Sequence, residues 1–223
     1  MIEAVLFDLD GTVANTNELI YESFRRLFYD KMKMEVADEE IYSLFGEPLE
    51  NSLKKYAEDT SELMLFFRAF NESNHDQMIR PFEGVEEALI KLREKGLKLG
   101  IVTSKREGMA RRSLEALGLT EYFEVVITPE STEKHKPEPE PIYKACELLG
   151  GIDPENTVMV GDASYDILCG NRAGATSVAV SYSMIHPETI KLAKPHYMVD
   201  DLRELVELIH RLNTERSKEE SFR

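Results

Sequence analysis

Ala4-Val5-Leu6-Phe7-Asp8-Leu9-Asp10-Gly11-Thr12 is an apolar run that stops in two acids, a glycine and a hydroxyl. The run has the length and residue types of a buried strand. Asp is disfavoured in strands, and two ionised carboxylates two residues apart repel each other unless a cation or fixed donors compensate them. A divalent metal is the simplest compensation. Side chains alternate along a strand, so Asp8 and Asp10 share a side only while the chain stays extended, and they sit where it leaves the sheet. Gly11 permits the sharp exit.

C-terminal to this stretch the chain changes character twice. Thr16 or Asn17 is placed to cap a helix over 18–33, in which Ile20, Phe24, Leu27 and Phe28 share a face. Helical spacing continues over 38–44, 49–57 and 61–78, broken by the turn Phe45-Gly46-Glu47-Pro48 and the polar Glu58-Asp59-Thr60-Ser61. From Pro81 onward helices and short apolar strands alternate, with strands predicted at 97–102, 125–127, 158–160 and 177–180 and a last helix carrying Leu202, Leu205, Val206 and Ile209. Continuous apolar strands alternating with helices predict a doubly wound, Rossmann-like α/β fold with a parallel sheet. The economical division is a core of residues 1–15 and 81–213, an inserted all-helical cap of residues 16–80, and a frayed polar tail of residues 214–223.

Composition narrows the function. The 223 residues carry 42 acids against 27 Lys and Arg, a net charge of −15. Nucleic acid and anionic membranes demand a basic surface, so neither is an expected partner. No apolar run reaches the roughly 20 residues of a membrane span, and the chain enters its first strand without a basic leader. Cys146 and Cys169 each lie alone in a helical context without a metal-spaced partner, as expected for buried thiols in a reducing, cytoplasmic setting.

In an open parallel sheet, ligands bind at the carboxyl ends of the strands near a topological switch point. The first predicted strand ends in Asp8 and Asp10, the second in Thr103-Ser104-Lys105, and the fourth in Gly161-Asp162-Ala163-Ser164-Tyr165-Asp166; Lys136-Pro137 precedes the helix before that fourth strand. Taken singly, Thr103-Ser104 reads as a helix cap, Gly161-Asp162 as a strand-to-helix turn and Lys136 as a solvated lysine. Together they put acids, hydroxyls, backbone N–H groups and a cation on one edge, which suits a metal–phosphate site. A carboxylate can attack a phosphoryl group to form an acyl phosphate, and a second carboxyl can protonate the leaving oxygen and then activate water. Mg²⁺ takes hard oxygen ligands such as Asp8 and Asp162, while Thr103, its neighbouring N–H groups and Lys136 suit phosphoryl oxygens.

Phe7-Asp8-Leu9-Asp10-Gly11-Thr12, Ile101-Val102-Thr103-Ser104, Lys136-Pro137 and Gly161-Asp162 through Asp166 resemble, in order, the four motifs of the haloacid dehalogenase-like hydrolase superfamily. The resemblance implies Asp8 as nucleophile and Asp10 as general acid and base. It further implies Mg²⁺ held by Asp8, Asp162 and the Asp10 carbonyl with support from Asp166, and the transferred phosphoryl group held by Thr103, Ser104 and Lys136. The insertion after the first motif is similar to the helical cap of the phosphoglycolate phosphatase-like subgroup. Asn15-Thr16-Asn17-Glu18-Leu19-Ile20, Phe70-Asn71 and His75-Asp76 look similar to its bacterial inorganic pyrophosphatase branch.

That resemblance makes diphosphate the expected substrate. Phosphoglycolate or another small phosphomonoester is the alternative, and a β-phosphoglucomutase-type mutase a third. In the cap, Asn17, Glu47, Asn71 and His75 either face the cleft or serve as caps, turn residues and solvated helix positions, the latter being the commoner role of such residues. Asn17 is kept as a substrate candidate. Lys105 and Arg106, on the loop that points at the site, are candidates for a distal phosphate. Arg25-Arg26 and Arg111-Arg112 read as solvated helix faces, and Phe66, Phe67 and Phe70 as cap core. The two linkers at 13–17 and 80–84 are the natural hinge. Oligomeric state is left open by the sequence.

Overall fold

The structure is a computed structural model describing residues 1–182 and 184–221, with side chains placed as far as residue 218. In chain order its elements are β1 (Ala4–Phe7), β2 (Ala14–Asn15), α1 (Asn17–Arg26), α2 (Asp38–Tyr42), α3 (Leu49–Lys54), α4 (Ser61–Met78), β3 (Arg80–Pro81), α5 (Val85–Glu94), β4 (Lys98–Val102), α6 (Glu107–Ala116), β5 (Val125–Ile127), α7 (Glu140–Leu148), β6 (Thr157–Gly161), α8 (Ser164–Ala173), β7 (Thr176–Val180), α9 (Pro187–Leu192), β8 (Tyr197–Val199) and α10 (Glu204–Ser221). Six strands form one sheet in the order β5-β4-β1-β6-β7-β8, every pair parallel. From β1 the chain winds outward through β4 and β5, then returns to place β6 on the other side of β1. The switch point therefore falls between β1 and β6, where Asp8 and Asp162 leave the sheet.

Strand alternation divides the core into two layers. Val5 and Phe7 of β1 and Val158 and Val160 of β6 pack with Val85, Leu89 and Leu92 of α5 and with Leu205 and Ile209 of α10. Ala4, Leu6 and Met159 point the other way, against Ile142, Ala145 and Cys146 of α7 and Cys169 of α8. Each fully buried aliphatic or aromatic side chain contributes about 1.5–3 kcal/mol. That burial is what fixes the register of the strands, and with it the positions of the acids at their ends.

Helices α1 to α4 follow β2 and precede β3, and they pack on their own aromatic cluster, with ring centroids 4.7 Å apart for Phe24 and Phe67 and 4.8 Å for Phe28 and Tyr56. Phe67 is buried and Phe66 packs at the margin of this cluster. Phe70 is half-buried outside it. The two connections, expected as plain linkers, pair as a short antiparallel ribbon, Ala14 with Pro81 and Asn15 with Arg80.

Three local expectations are corrected. The first helix widens into a π-helical stretch over Leu27–Met32 and stops at Lys33, whose φ of 58° is left-handed. An edge strand forms at Tyr197–Val199, where Met198 is exposed and the apolar pattern is too short to read. The tail expected to fray from residue 214 instead continues α10 through Ser221, with Arg216 donating to the Glu155 carbonyl and the Asn156 side chain; Phe222 and Arg223 lie outside the described residues. No helix among the described residues is long and apolar enough to cross a membrane.

Candidate active site

The loop after β1 is tied to itself: the amides of Val13 and Ala14 donate to the Leu9 carbonyl, and Gly11 donates to Ala14. Gly11 adopts φ +85°, and a Cβ there would lie 2.2 Å from an oxygen of Asp162. Glycine therefore does two things at this position, permitting the left-handed turn and letting the β6 loop close onto the β1 loop. Only the close approach recurs at Gly161, where a Cβ would lie 2.2 Å from that of Asp166.

Asp8, Asp162 and Asp166 are all buried, and one oxygen from each lies within 4.8 Å of the others. Their charge is countered by Lys136, itself buried, whose ammonium donates to Asp8 Oδ1 at 2.7 Å, Asp166 Oδ1 at 2.6 Å and the Val102 carbonyl at 3.0 Å. The ammonium has three N–H groups and all three are engaged, so its charge rather than a spare donor acts on the cleft. The second Asp166 oxygen accepts from the Ala163 amide. Asp8 Oδ2 has no hydrogen-bond partner among the described residues, and Asp8 lines the cavity.

Burial is the main cause that pushes the Asp8 carboxyl up to about 7, with Lys136 pulling it down and Asp166 and Asp10 pushing it further up. For Lys136 burial disfavours the charged form, but Asp166 and then Asp8 outweigh it and hold the ammonium above the ordinary lysine range. The pair is thus a buried, mutually dependent arrangement.

Asp10 does not join this cluster. Its carboxylate turns to Lys105, whose ammonium reaches the two oxygens at 2.9 and 3.2 Å. Thr103 stands at the end of β4, buried, with its hydroxyl accepting from the Lys105 amide at 3.1 Å. Of the neighbouring N–H groups, the Thr103 amide donates to the Ile127 carbonyl and the Lys105 amide to Thr103, while the Ser104 and Arg106 amides have no hydrogen-bond partner among the described residues. Ser104 itself is exposed. Asp8, Asp10, Thr103, Ser104, Lys105, Lys136, Asp162, Asp166 and Asn17 all line one cavity of about 250 Å³, roofed by apolar side chains of the helical block that include Ile20, Phe24 and Phe67.

His75 is the largest departure from expectation. Rather than a cap or solvated position, it is fully buried, with Nδ1 2.7 Å from Asp76 and Nε2 2.8 Å from Ser113 of α6. Burial is the leading cause that lowers its pKa, against the Asp76 hydrogen bond. Arg112, read as a solvated position, grips Asp76 with two N–H groups and donates a third bond to the Glu72 carbonyl. These contacts dock α4 on α6. Glu47 faces the cavity while paired to Lys55, and the Asn71 amide donates to Ser23.

Arg68 also lines the cavity and was not anticipated. Its signal was available as the spacing Arg68, Asn71, Glu72, His75, a polar stripe at i, i+3, i+4 and i+7 beside the aromatic one. The cysteines stay outside the site. Cys169 donates to the Glu138 carbonyl and burial pushes its thiol up to about 12, while burial also raises Cys146.

Known proteins resemble this chain over nearly its whole length. The family model described as haloacid dehalogenase-like hydrolase matches residues 5–180. A Clostridium perfringens protein provisionally named pyrophosphatase PpaX is 43% identical over 215 residues, covering 96% of this chain and 100% of the relative. The Bacillus mycoides protein named pyrophosphatase PpaX is 37% identical over 213 residues, covering 95% and 99%. Among solved structures, a haloacid dehalogenase-like family hydrolase from Streptococcus pneumoniae superposes with a TM-score of 0.83 at 22% identity, covering 93% of this chain and 98% of that one, a likeness of fold. With its four motifs on one sheet edge and the family model spanning them, the chain belongs to the haloacid dehalogenase-like hydrolases.

Proposed function

We propose that this hydrolase cleaves inorganic diphosphate to two phosphates through a phosphoryl group carried on Asp8. The observation that carries the reading is a buried Asp8 whose Oδ1 is fixed by Lys136 while Oδ2 is left to the cavity, an oriented nucleophile. Diphosphate as substrate is supported by the relatives named pyrophosphatase, 37–43% identical over nearly the whole chain.

The donor set beside Asp8 fits Mg²⁺: three carboxylates offer hard oxygens within 4.8 Å of one another, and no sulfur or imidazole lies among them. Asp8 and Asp162 would hold the ion, with the Asp10 carbonyl, and Asp166 would orient the set. When bound, Mg²⁺ neutralises charge on the phosphoryl oxygens and on Asp8. An Asp8 oxygen attacks the proximal phosphorus as its bond to the bridging oxygen breaks. That oxygen keeps the electron pair, takes a proton from Asp10, which in this step carries a proton in place of its ion pair with Lys105, and leaves as phosphate. Asp10, now ionised, accepts a proton from water, whose oxygen attacks phosphorus and breaks its bond to Asp8, releasing the second phosphate. The Thr103 hydroxyl and Ser104 amide hold the phosphoryl oxygens, and the charge on Lys136 favours the developing negative charge.

A second reading rests on the apolar roof of the cavity, since Ile20, Phe24 and Phe67 suit a phosphomonoester bearing carbon better than a bare anion. Comparing kcat/KM for diphosphate, phosphoglycolate and β-glucose 1-phosphate with Mg²⁺ separates the readings. Diphosphate is expected to rank first, and a monoester far above it would replace the substrate while leaving the chemistry in place. Acid quenching during turnover of labelled diphosphate, followed by peptide mapping, is expected to find the label on Asp8.

A further inference from the structure

Four cationic side chains line the cavity over Asp8, and their surroundings differ. Lys136 is engaged by Asp8 and Asp166, and Lys105 by Asp10. Arg106 lies 3.7 Å from Glu130, with both side chains exposed. The side chain of Arg68, a half-buried residue of α4, has no hydrogen bond, ion pair or ring contact with any described residue. A guanidinium that lines a cleft with no counter-charge beside it is free to take an anion that enters the cleft. In a chain of net charge −15, a lone cation facing a cleft is not explained by a general basic surface.

The helix register says where this cation stands. Arg68, Asn71, Glu72 and His75 form one stripe of α4, and His75 docks on Ser113 of α6. Both helices run from the cavity toward that junction. Arg68 precedes His75 by seven residues and Arg106 precedes Ser113 by seven, about 11 Å back along each helix at 1.5 Å per residue. The loop Thr103–Arg106 and Arg68 therefore enter the cavity from the two helices that the His75 contact holds together.

We propose that Arg68 is a specificity-determining residue whose guanidinium takes the distal phosphoryl group of an inorganic phosphoric anhydride while Asp8 attacks the proximal one. This rests on the diphosphate reading above. As the bond from the proximal phosphorus to the bridging oxygen breaks, the departing group keeps that electron pair, so negative charge develops on the phosphate that Arg68 faces until the proton from Asp10 offsets it. A planar fork of N–H donors matches two oxygens of such a group at once. A monoester leaves instead as an alcohol, with no second phosphoryl group to occupy the fork.

The test measures kcat and KM for diphosphate and for phenyl phosphate, with Mg²⁺, on the full-length wild type, R68Q and R68K, with circular dichroism confirming that each is folded. The ratio of kcat/KM for diphosphate to that for phenyl phosphate is expected to fall about 30-fold in R68Q. R68K is expected to restore part of it, since lysine supplies the charge without the fork. An unchanged ratio, or parallel losses on both substrates, overturns the assignment of Arg68 and leaves the diphosphate reading standing. A wild type that hydrolyses phenyl phosphate and not diphosphate overturns that reading, and the role given to Arg68 falls with it.

Discussion

Lys136 and Phe24 line the same cavity from the two halves of the molecule. Around Lys136, buried charges lie within hydrogen-bond distance and each group has its place because another holds it. Around Phe24, rings pack on rings, and the polar groups that reach the cavity come from helix surfaces and, for Glu47, from the turn before α3. The stability of the sheet edge is therefore expected to answer to single changes in charge, and that of the helical block to changes in volume. On the function proposed above, the chemistry and the choice of leaving group rest on separate physical means, so they can be perturbed separately.

The sharpest break is at Asp8. Asp8→Asn preserves shape but removes the attacking carboxylate, and turnover of diphosphate is expected to fall about 10⁴-fold or more with circular dichroism unchanged. Activity within tenfold of wild type would show that Asp8 is not the nucleophile. Lys136→Met tests the charge side as stability. It leaves Asp8 and Asp166 buried without their cation, and urea unfolding without metal is expected to show a loss of about 3–5 kcal/mol. Added Mg²⁺ should recover part of it by neutralising the same carboxylates.

On the other side of the cavity, Phe24→Ala is expected to cost about 3 kcal/mol through the space left beside Phe28 and Phe67. The signature that sharpens the comparison is regional. Amide hydrogen exchange should accelerate in α1 and α4 while β1 keeps its protection, because every buried residue of the aromatic cluster comes from the helical block. Equal acceleration in β1 would show that the two halves unfold as one.

The smallest effect is expected at the seam. Burial lowers the pKa of His75, so on acidification the unfolded chain takes up a proton before the folded one does. This histidine therefore makes stability fall as pH drops through the ordinary histidine range, near 6.5. His75→Gln should flatten the stability profile between pH 7 and 5 by about 1 kcal/mol or less. A profile of unchanged slope would mean that His75 titrates alike in both states.

How far the sequence could be read follows from the range of the forces involved. The parallel, helix-covered sheet and the placing of Asp8, Thr103 and Asp162 at strand ends were legible, because each short continuous apolar run between helices marks a strand and the residues after it are the ones that leave the sheet; the order of the strands came only from the structure. The edge strand at 197–199 and the ribbon of residues 14–15 with 80–81 were not, because two or three residues carry no periodicity. Lys136 showed the same split: its presence before Pro137 was visible, while its three acceptors come from Asp8, Val102 and Asp166, far apart in the chain.

By itself, the sequence determined the α/β class, the inserted helices and the edge of the sheet on which acids gather, since each follows from local pattern and chain order. Tertiary structure alone decided which groups face each other across that edge. It turned Asp10 to Lys105, buried His75 against Ser113, and left Arg68 facing the cavity without a partner among the described residues. Those outcomes depend on the angle at which two helices meet and on which carboxylate reaches a cation first, and no spacing along the chain encodes either.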